Sequence, residues 1–337
     1  MNERRQVVEA AFANQKPSRV PVGFWYHFTP FNEHCRGLLD PGIVRRVIDG
    51  HKAMYDDLQP DMLKIMSDGF FGHPSMNGKR FETAEDLKQI QSVGAQHPWI
   101  REQVSMVREI MEYTKHEVPT FYSIFSPLQA VRLYFFEDED APDKFTRLFF
   151  ENPDLMVQAA KEIEKDVLLL VDALMKETDI DGVYYSTQEV QDDRADQAFH
   201  EKYVRDTDVS VMNHIHEYGS KILLHICGWG EFTNTLELYK DYPADIVNWA
   251  THTEQVSLKE GKKLFHNKPV VGGFDNNPGT LLYSGSDEEI RDYLYALLDE
   301  SGTEGVMIGA DCTVDPSVGH DRLRYVRDVV RAYCQGK

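Results

Sequence analysis

Short runs of apolar, β-branched or aromatic residues alternate along the chain with longer amphipathic segments. The runs have the length of buried strands, and several are continuous rather than alternating, which is typical of a parallel sheet covered on both faces. The pattern predicts eight strands, at Val20–Trp25, Asp61–Met66, Pro119–Phe125, Gly182–Tyr185, Lys221–Ile226, Asp245–Trp249, Pro269–Gly272 and Gly305–Ile308.

Helical segments lie between these runs. Pro153–Leu174 begins with proline and repeats apolar residues at a spacing of three to four, and Asp321–Tyr333 has one apolar stripe. Strands that alternate with helices predict an α/β fold, the (β/α)8 TIM barrel. We expect one domain over residues 1–337, with a helix in residues 1–18 packed on the barrel. An open doubly wound sheet would need a glycine-rich turn after its first strand, where this chain has Tyr-His-Phe-Thr-Pro.

Composition narrows the classes of function. The 337 residues include 36 Lys and Arg against 56 Asp and Glu, a net charge of −20, and 42% are hydrophobic. A chain with this much negative charge lacks a basic surface for nucleic acid and is repelled by anionic membranes. We therefore expect it to bind neither nucleic acid nor a membrane. The first residues lack the apolar core of a signal peptide, and no stretch approaches the ~18 apolar residues of a membrane span. We therefore expect a cytoplasmic protein.

One strand end carries a candidate metal site. Residues two apart on a strand point to the same side, so His225 and Cys227 could bind one ion. Cys312 follows the last predicted strand, and parallel strands end at the same edge of a sheet. Three nitrogen and sulfur ligands with an open fourth position are typical of catalytic zinc. The alternative is a buried histidine beside inert thiols. We expect Cys35 and Cys334 to be non-ligands.

Other polar residues also follow the predicted strands, at the end where TIM barrels have their active sites. We expect Asp68 and His252 to be catalytic. The residues expected to line the pocket and bind substrate are Tyr26, His27, Gln188, Asp275 and Asn276.

These residues lie within a longer resemblance. Lys-Pro-Ser-Arg-Val-Pro-Val, Ser67-Asp68, Ser-Pro-Leu from Ser126, His225-Ile-Cys227-Gly and the closing Gly-Ala-Asp-Cys-Thr-Val-Asp-Pro resemble the uroporphyrinogen decarboxylase superfamily over nearly the whole chain. That superfamily comprises cofactor-free decarboxylases of a tetrapyrrole and zinc-dependent methyltransferases. The latter move a methyl group from a corrinoid protein to a thiol such as coenzyme M.

The chain departs from the decarboxylase pattern. Decarboxylases bind their carboxylate-rich substrate with an arginine-containing segment after the first strand, and this chain has no arginine there before Arg36. Bidentate arginine is what planar carboxylate recognition requires. Cys312 stands in place of the decarboxylase histidine, and Tyr134 falls one position late for the catalytic tyrosine. Asp68 does line up with its counterpart.

The resemblance to the methyltransferase branch implies that His225, Cys227 and Cys312 bind Zn²⁺, which deprotonates an acceptor thiol. A separate corrinoid protein would supply the methylcorrinoid, since the nearest stretch to Asp-x-His-x-x-Gly, at His214, lacks the aspartate. Phe274 and Thr313 depart from the close coenzyme M enzymes, so the acceptor stays open: a thiol or another small molecule. Two alternatives remain: decarboxylation of a tetrapyrrole or other carboxylate, and a non-catalytic barrel that binds a corrinoid or porphyrin.

Overall fold

A computed structural model describes residues 2–135, 141–228 and 233–336. A single seven-stranded parallel sheet forms the centre, and its strands pair in chain order, from first to last. The strands are β1 Leu63–Ile65, β2 Thr120–Phe125, β3 Gly182–Thr187, β4 Lys221–Ile226, β5 Ile246–Trp249, β6 Val270–Phe274 and β7 Val306–Ala310. Each overlaps a predicted strand, which confirms seven of the eight, although β3, β6 and β7 each end two residues after the predicted end.

Helices surround the curled sheet. They are α1 Glu3–Phe12, α2 Pro41–Leu58, α3 Pro98–Thr114, α4 Pro127–Phe135, α5 Ala141–Glu151, α6 Pro153–Glu177, α7 Gln197–Tyr203, α8 Arg205–Glu217, α9 Leu258–Leu264, α10 Leu281–Ser284, α11 Asp287–Ser301 and α12 His320–Gly336. Both predicted helices are confirmed within α6 and α12. Asn152 caps α6 by accepting a hydrogen bond from Leu155 N, and Pro153 takes the first helical position. Within the described ranges, no helix is both long and apolar enough to cross a lipid bilayer.

The remaining predicted strand, Val20–Trp25, is an extended segment rather than a strand. Gly23 N donates to Ile308 O at 3.0 Å, and Ile308 N donates to Pro21 O at 2.9 Å. On its other side, Val22 O accepts from Asp61 N, two residues before β1. Proline lacks an N–H, so Pro21 interrupts the ladder. The structure is TIM-barrel-like, with seven strands in the described residues where the sequence predicts eight.

Helix α1 covers the amino-terminal end of the strands. Arg5 donates to Val118 O just before β2 and forms an ion pair with Asp181 just before β3. Val7 and Val8 are buried against an apolar layer inside the sheet. The residues of that layer are Trp25, Met62, Met66, Phe121, Tyr184, Leu223, Ile246, Val271 and Met307. The amino end of the barrel is thus closed with apolar packing, and the carboxyl end is left for polar groups.

A buried ion pair holds the extended segment against β1. Arg19 Nη1 and Nη2 each donate to a carboxylate oxygen of Asp61 at 2.7 Å, a bidentate geometry. Asp61 is fully buried, and its Oδ2 also accepts from Val22 N at 2.9 Å. One carboxylate therefore fixes the side chain at the start of the segment and the backbone in its middle.

Replacing Asp61→Ala should destabilise the fold by about 3–5 kcal/mol, because the buried Arg19 charge would keep only the exposed Glu3 carboxylate as a partner. Urea unfolding followed by circular dichroism measures the change. Asp49→Ala is the matched control, since Asp49 pairs with Arg45 on the exposed side of α2 and should shift the midpoint little. Equal midpoint shifts in the two variants would contradict a special role for the buried pair.

Candidate metal centre

Two cysteines and one histidine converge at the carboxyl end of the sheet. His225 lies near the end of β4, Cys227 directly follows that strand, and Cys312 lies two residues after β7. One nitrogen or sulfur atom from each residue lies within 4.8 Å of the others. Cys312 Sγ is 3.5 Å from His225 Nε2. The structure thus brings together the three residues that the sequence singles out, as the two-residue strand period and the shared sheet edge require.

Asn248 determines which nitrogen of His225 is available. Its Nδ2 donates to Val271 O at 2.8 Å and to Ala310 O at 3.2 Å, so its Oδ1 faces the histidine. That oxygen lies 2.5 Å from His225 Nδ1 and also accepts from Tyr184 OH at 2.9 Å. Because an amide oxygen only accepts, Nδ1 must carry the proton, and the lone pair is on Nε2, which faces Cys312. This is the arrangement that orients metal-binding histidines.

Sequence reasoning missed Asn248. The signal was a polar residue inside the apolar run Asp245–Trp249. Parallel pairing aligns Asn248 with His225, and the two-residue period places Asn248 on the same inward face as Ile246. The link needs the register between β4 and β5, which a single sequence does not show.

The Cys312 thiol is poised to ionise. Its hydrogen bond with Cys227 is the largest influence and lowers its pKa well below the usual range, against the opposing effect of burial. A hydrogen bond with His225 and the charge of Lys64 lower that pKa further. Since the thiolate is the form that binds metals, this environment favours a ligand rather than an inert core cysteine.

Lys64, a second residue that sequence reasoning missed, places a cation inside the barrel. It lies in the middle of β1, is buried, and has Nζ 3.7 Å from the Tyr184 ring centroid. Burial lowers its pKa to about 8, opposed by the charges of Cys312, Cys227 and Asp68. A lysine inside the apolar run Asp61–Met66 was the available signal. The ammonium group is therefore electrostatically coupled to the metal cluster.

A cavity of about 640 Å³ opens beside the cluster. This volume is within the range of small-molecule sites. Aromatic rings form one side, with Phe71 and Phe125 at a centroid separation of 4.5 Å and His34 at 4.5 Å from Phe71. Two residues predicted to bind substrate line the cavity, His27 and Asn276. Its lining also includes Lys64 and the three clustered residues, His225, Cys227 and Cys312.

Asp68 contacts His27, one of the residues that line this cavity. It is fully buried three residues after β1, with Oδ1 2.8 Å from His27 Nδ1 and Oδ2 accepting from Phe28 N at 2.7 Å. Burial raises the pKa of Asp68, but electrostatic attraction to His27 and His34 and the hydrogen bonds from His27 and Phe28 N hold it below its usual value. The carboxylate therefore orients a histidine that lines the cavity.

The remaining predicted residues lie outside the lining of this cavity. Tyr26 is buried with its ring 5.4 Å from that of His320, and Gln188 is buried just after β3. His252 Nδ1 lies 2.9 Å from Asp311 Oδ2, and this hydrogen bond raises the His252 pKa. Asp275 accepts from Asn277 in its own turn. Of the five residues predicted to bind substrate, the cavity therefore brings together His27 and Asn276.

The other two cysteines are not part of the metal cluster in the described residues. Cys334 Sγ accepts a hydrogen bond from Val20 N at 3.5 Å, on the outer side of the extended segment. Cys35 packs against Gly72: a Cβ atom at position 72 would lie 3.0 Å from Cys35 Sγ.

Comparison with known proteins identifies the fold. No family model and no curated protein matches the chain. Among solved structures, the chain is similar to a methyltransferase from Methanosarcina mazei, with a TM-score of 0.71, 13% identity and 98% of each chain covered. It is also similar to a B12-independent methionine synthase from Shewanella sp. W3-18-1, with a TM-score of 0.53 and 14% identity over 94% of this chain and 97% of that one. At these identities the similarity establishes the fold.

Replacing Asn248→Ala should weaken zinc binding by about 10- to 100-fold, because His225 would lose the partner that fixes its tautomer. Competition with a chromophoric chelator at neutral pH measures the affinity. Tyr184→Phe is the matched control: it removes the other hydrogen bond to Asn248 Oδ1 and leaves the histidine contact in place. If Asn248→Ala bound zinc as tightly as the parent, Asn248 would have no role in orienting the ligand.

Proposed function

We propose that this protein is a zinc-dependent methyltransferase that moves a methyl group from a methylated corrinoid protein to a thiol or another small acceptor. One observation carries the proposal: His225, Cys227 and Cys312 converge beside a cavity, with the histidine lone pair directed at the cluster. A fold shared with a protein named as a methyltransferase supports it.

The donor set fits zinc. One neutral imidazole and two thiolates are the ligand types that zinc prefers, and three protein ligands leave a fourth position for a substrate. Zinc held by these residues would lower the pKa of an acceptor thiol and keep its sulfur nucleophilic. Hard oxygen-binding cations such as Mg²⁺ do not suit this set.

Lys64 balances the charge of the acceptor. Two thiolates and a neutral imidazole offset a divalent cation, so an added acceptor thiolate leaves one net negative charge. The Lys64 ammonium, held against Tyr184 in a buried position, supplies the compensating positive charge. Such a charge is worth more in a buried site than in water, because less solvent screens it. Lys64 therefore favours binding of the acceptor as an anion.

The volume of the cavity suits a small acceptor. Its volume of about 640 Å³ accommodates the acceptor, with the aromatic side excluding water. The methylcorrinoid would come from a separate corrinoid protein docked at the open carboxyl end. Asn276 lines the cavity and is positioned to contact the acceptor, whereas a catalytic role for His252 stays a prediction.

Zinc content of the purified protein tests the metal site. We expect about one zinc per chain in the parent and its loss in both Cys227→Ser and Cys312→Ser. Cys334→Ser is the matched control, because Cys334 lies outside the cluster, and this variant should retain the metal. Absence of zinc from carefully handled parent, or its retention in both cluster variants, would overturn the proposal.

Methyl transfer tests the activity. Zinc-loaded parent should demethylate methylcobalamin in the presence of 2-mercaptoethanol, and cobalamin absorption follows the reaction. Cys227→Ser and Cys312→Ser should abolish this transfer, since an acceptor would no longer be activated, and Cys334→Ser should retain it. A zinc-binding parent that transfers no methyl group to any small thiol would contradict thiol methylation.

A further inference from the structure

Two histidines of a second polar cluster line the same cavity as the candidate metal centre. His27, His34 and Asp68 offer ligand or proton-accepting atoms within 4.8 Å of one another. The two histidine rings lie 4.4 Å apart between centroids, and both line the cavity. Their hydrogen bonds determine what this cluster can do.

The hydrogen bonds of Asp68 assign the proton on His27. Both carboxylate oxygens are occupied, Oδ1 by His27 Nδ1 at 2.8 Å and Oδ2 by Phe28 N at 2.7 Å. A carboxylate only accepts, so His27 Nδ1 carries the proton and the lone pair is on Nε2. Among the residues that the structure describes, none donates to that Nε2. The histidine is half-buried, with 32% of its side chain exposed, so the lone pair is accessible from the cavity.

His34 supports this arrangement as a neutral neighbour. Its Nε2 lies 3.0 Å from Thr29 O, and a carbonyl only accepts, so Nε2 carries the proton. Its Nδ1 is buried without a hydrogen-bond partner in the described part of the chain. Burial is the largest cause that lowers the His34 pKa, to about 4. A proton arriving at His27 therefore meets a neutral ring on one side and the Asp68 carboxylate on the other.

Resting on the proposed function, we propose that His27 is the general base that accepts the acceptor's proton, with Asp68 as its positioning residue. The S–H bond of the thiol breaks, its electron pair stays on sulfur, and the proton forms an N–H bond at His27 Nε2. The carboxylate of Asp68 balances the imidazolium charge. This is the logic of a carboxylate–histidine pair: the acid fixes the tautomer and stabilises the charged ring.

The other groups around the cavity suit this step less well. With a pKa of about 8, Lys64 is mostly the ammonium at neutral pH, a form that has no lone pair, and the His34 lone pair is buried. His252 forms its pair with Asp311 outside the cavity lining. A second metal ion at His27, His34 and Asp68 would compete with the two N–H donors that already occupy the Asp68 oxygens.

Two acceptor thiols, one protonated and one already ionised at neutral pH, test whether His27 acts as a base or only supports the structure. In zinc-loaded His27→Gln, transfer to 2-mercaptoethanol should fall by about 10²- to 10⁴-fold, the range for a lost general base. Transfer to 4-nitrothiophenol should stay close to the parent rate, because this thiol is already ionised at neutral pH. Added imidazole should restore part of the lost rate. Asp68→Asn should show the same selectivity more weakly, and zinc content should match the parent in both.

His214→Gln is the matched control. His214 also pairs with a carboxylate, with Nε2 2.7 Å from Asp172 Oδ1, but it lies on α8 outside the cavity lining. This variant should use both thiols as the parent does. Thiol binding gives a readout without turnover: on binding 2-mercaptoethanol, the cobalt(II)-loaded protein should gain thiolate charge-transfer absorption beyond that of Cys227 and Cys312. The rate of this gain should fall in His27→Gln, fall less in Asp68→Asn, and stay at the parent value in His214→Gln.

The outcomes distinguish the base from the proposed function. Suppose that the parent binds metal and thiol, and that His27→Gln lowers the rate of methyl transfer to both thiols equally or to neither. The base assignment is then wrong and the methyltransferase proposal stands. Two zinc ions per parent chain, with one lost in His27→Gln, would make the cluster a metal site instead. If the parent binds no metal at all, the proposed function fails and the base has no acceptor to deprotonate, so both are overturned.

Discussion

Parallel pairing in chain order is the constraint on which the site depends. Each strand begins at one end of the barrel and finishes at the other, so residues distant in sequence share one rim. His225 and Cys312, 87 positions apart, meet there because β4 and β7 both end at that rim. The two-residue period of each strand then decides which side chains point inward. The same constraint pairs His225 with Asn248 across β4 and β5.

Along β4 and β5, the inward-facing side chains change from apolar to polar between one inward position and the next, two residues later. On β4 the inward positions are Leu223 and His225, followed by Cys227 at the rim. On β5 they are Ile246 and Asn248. The apolar members pack against α1 and exclude water from the amino-terminal end of the strands. The polar members above them therefore interact in a partly desolvated space, where hydrogen bonds and charges are stronger than at the surface.

Two groups of polar residues lie at the cavity, and Lys64 is within electrostatic range of both. The metal cluster offers nitrogen and sulfur ligands, while the pair of His27 and Asp68 offers a base and its counter-charge. Charges on Asp68 and on Cys312 both raise the pKa of Lys64, which shows that the lysine lies within electrostatic range of each. A buried cation shared by two such groups suits chemistry in which an acceptor loses a proton on one side and becomes an anion on the other.

The sequence by itself determined the α/β class, seven of the strands, and the position of His225, Cys227 and Cys312 at strand ends on one rim. Strand-length apolar runs, a histidine two residues before a cysteine, and a cysteine just after the last run are local patterns. Only the tertiary structure decided the rest. Val20–Trp25 was predicted as a strand from its apolar character. Pro21 interrupts the ladder, however, so the pairing of Val22 with Ile308 is an isolated bridge and the segment is extended without being a strand. Tyr26 and His27 are neighbours in sequence, but the first is buried beside His320 and the second lines the cavity. Asn248 and Lys64 matter because of partners on other strands, and strand register and the curl of the sheet, which arise from packing over the whole chain, bring those partners together.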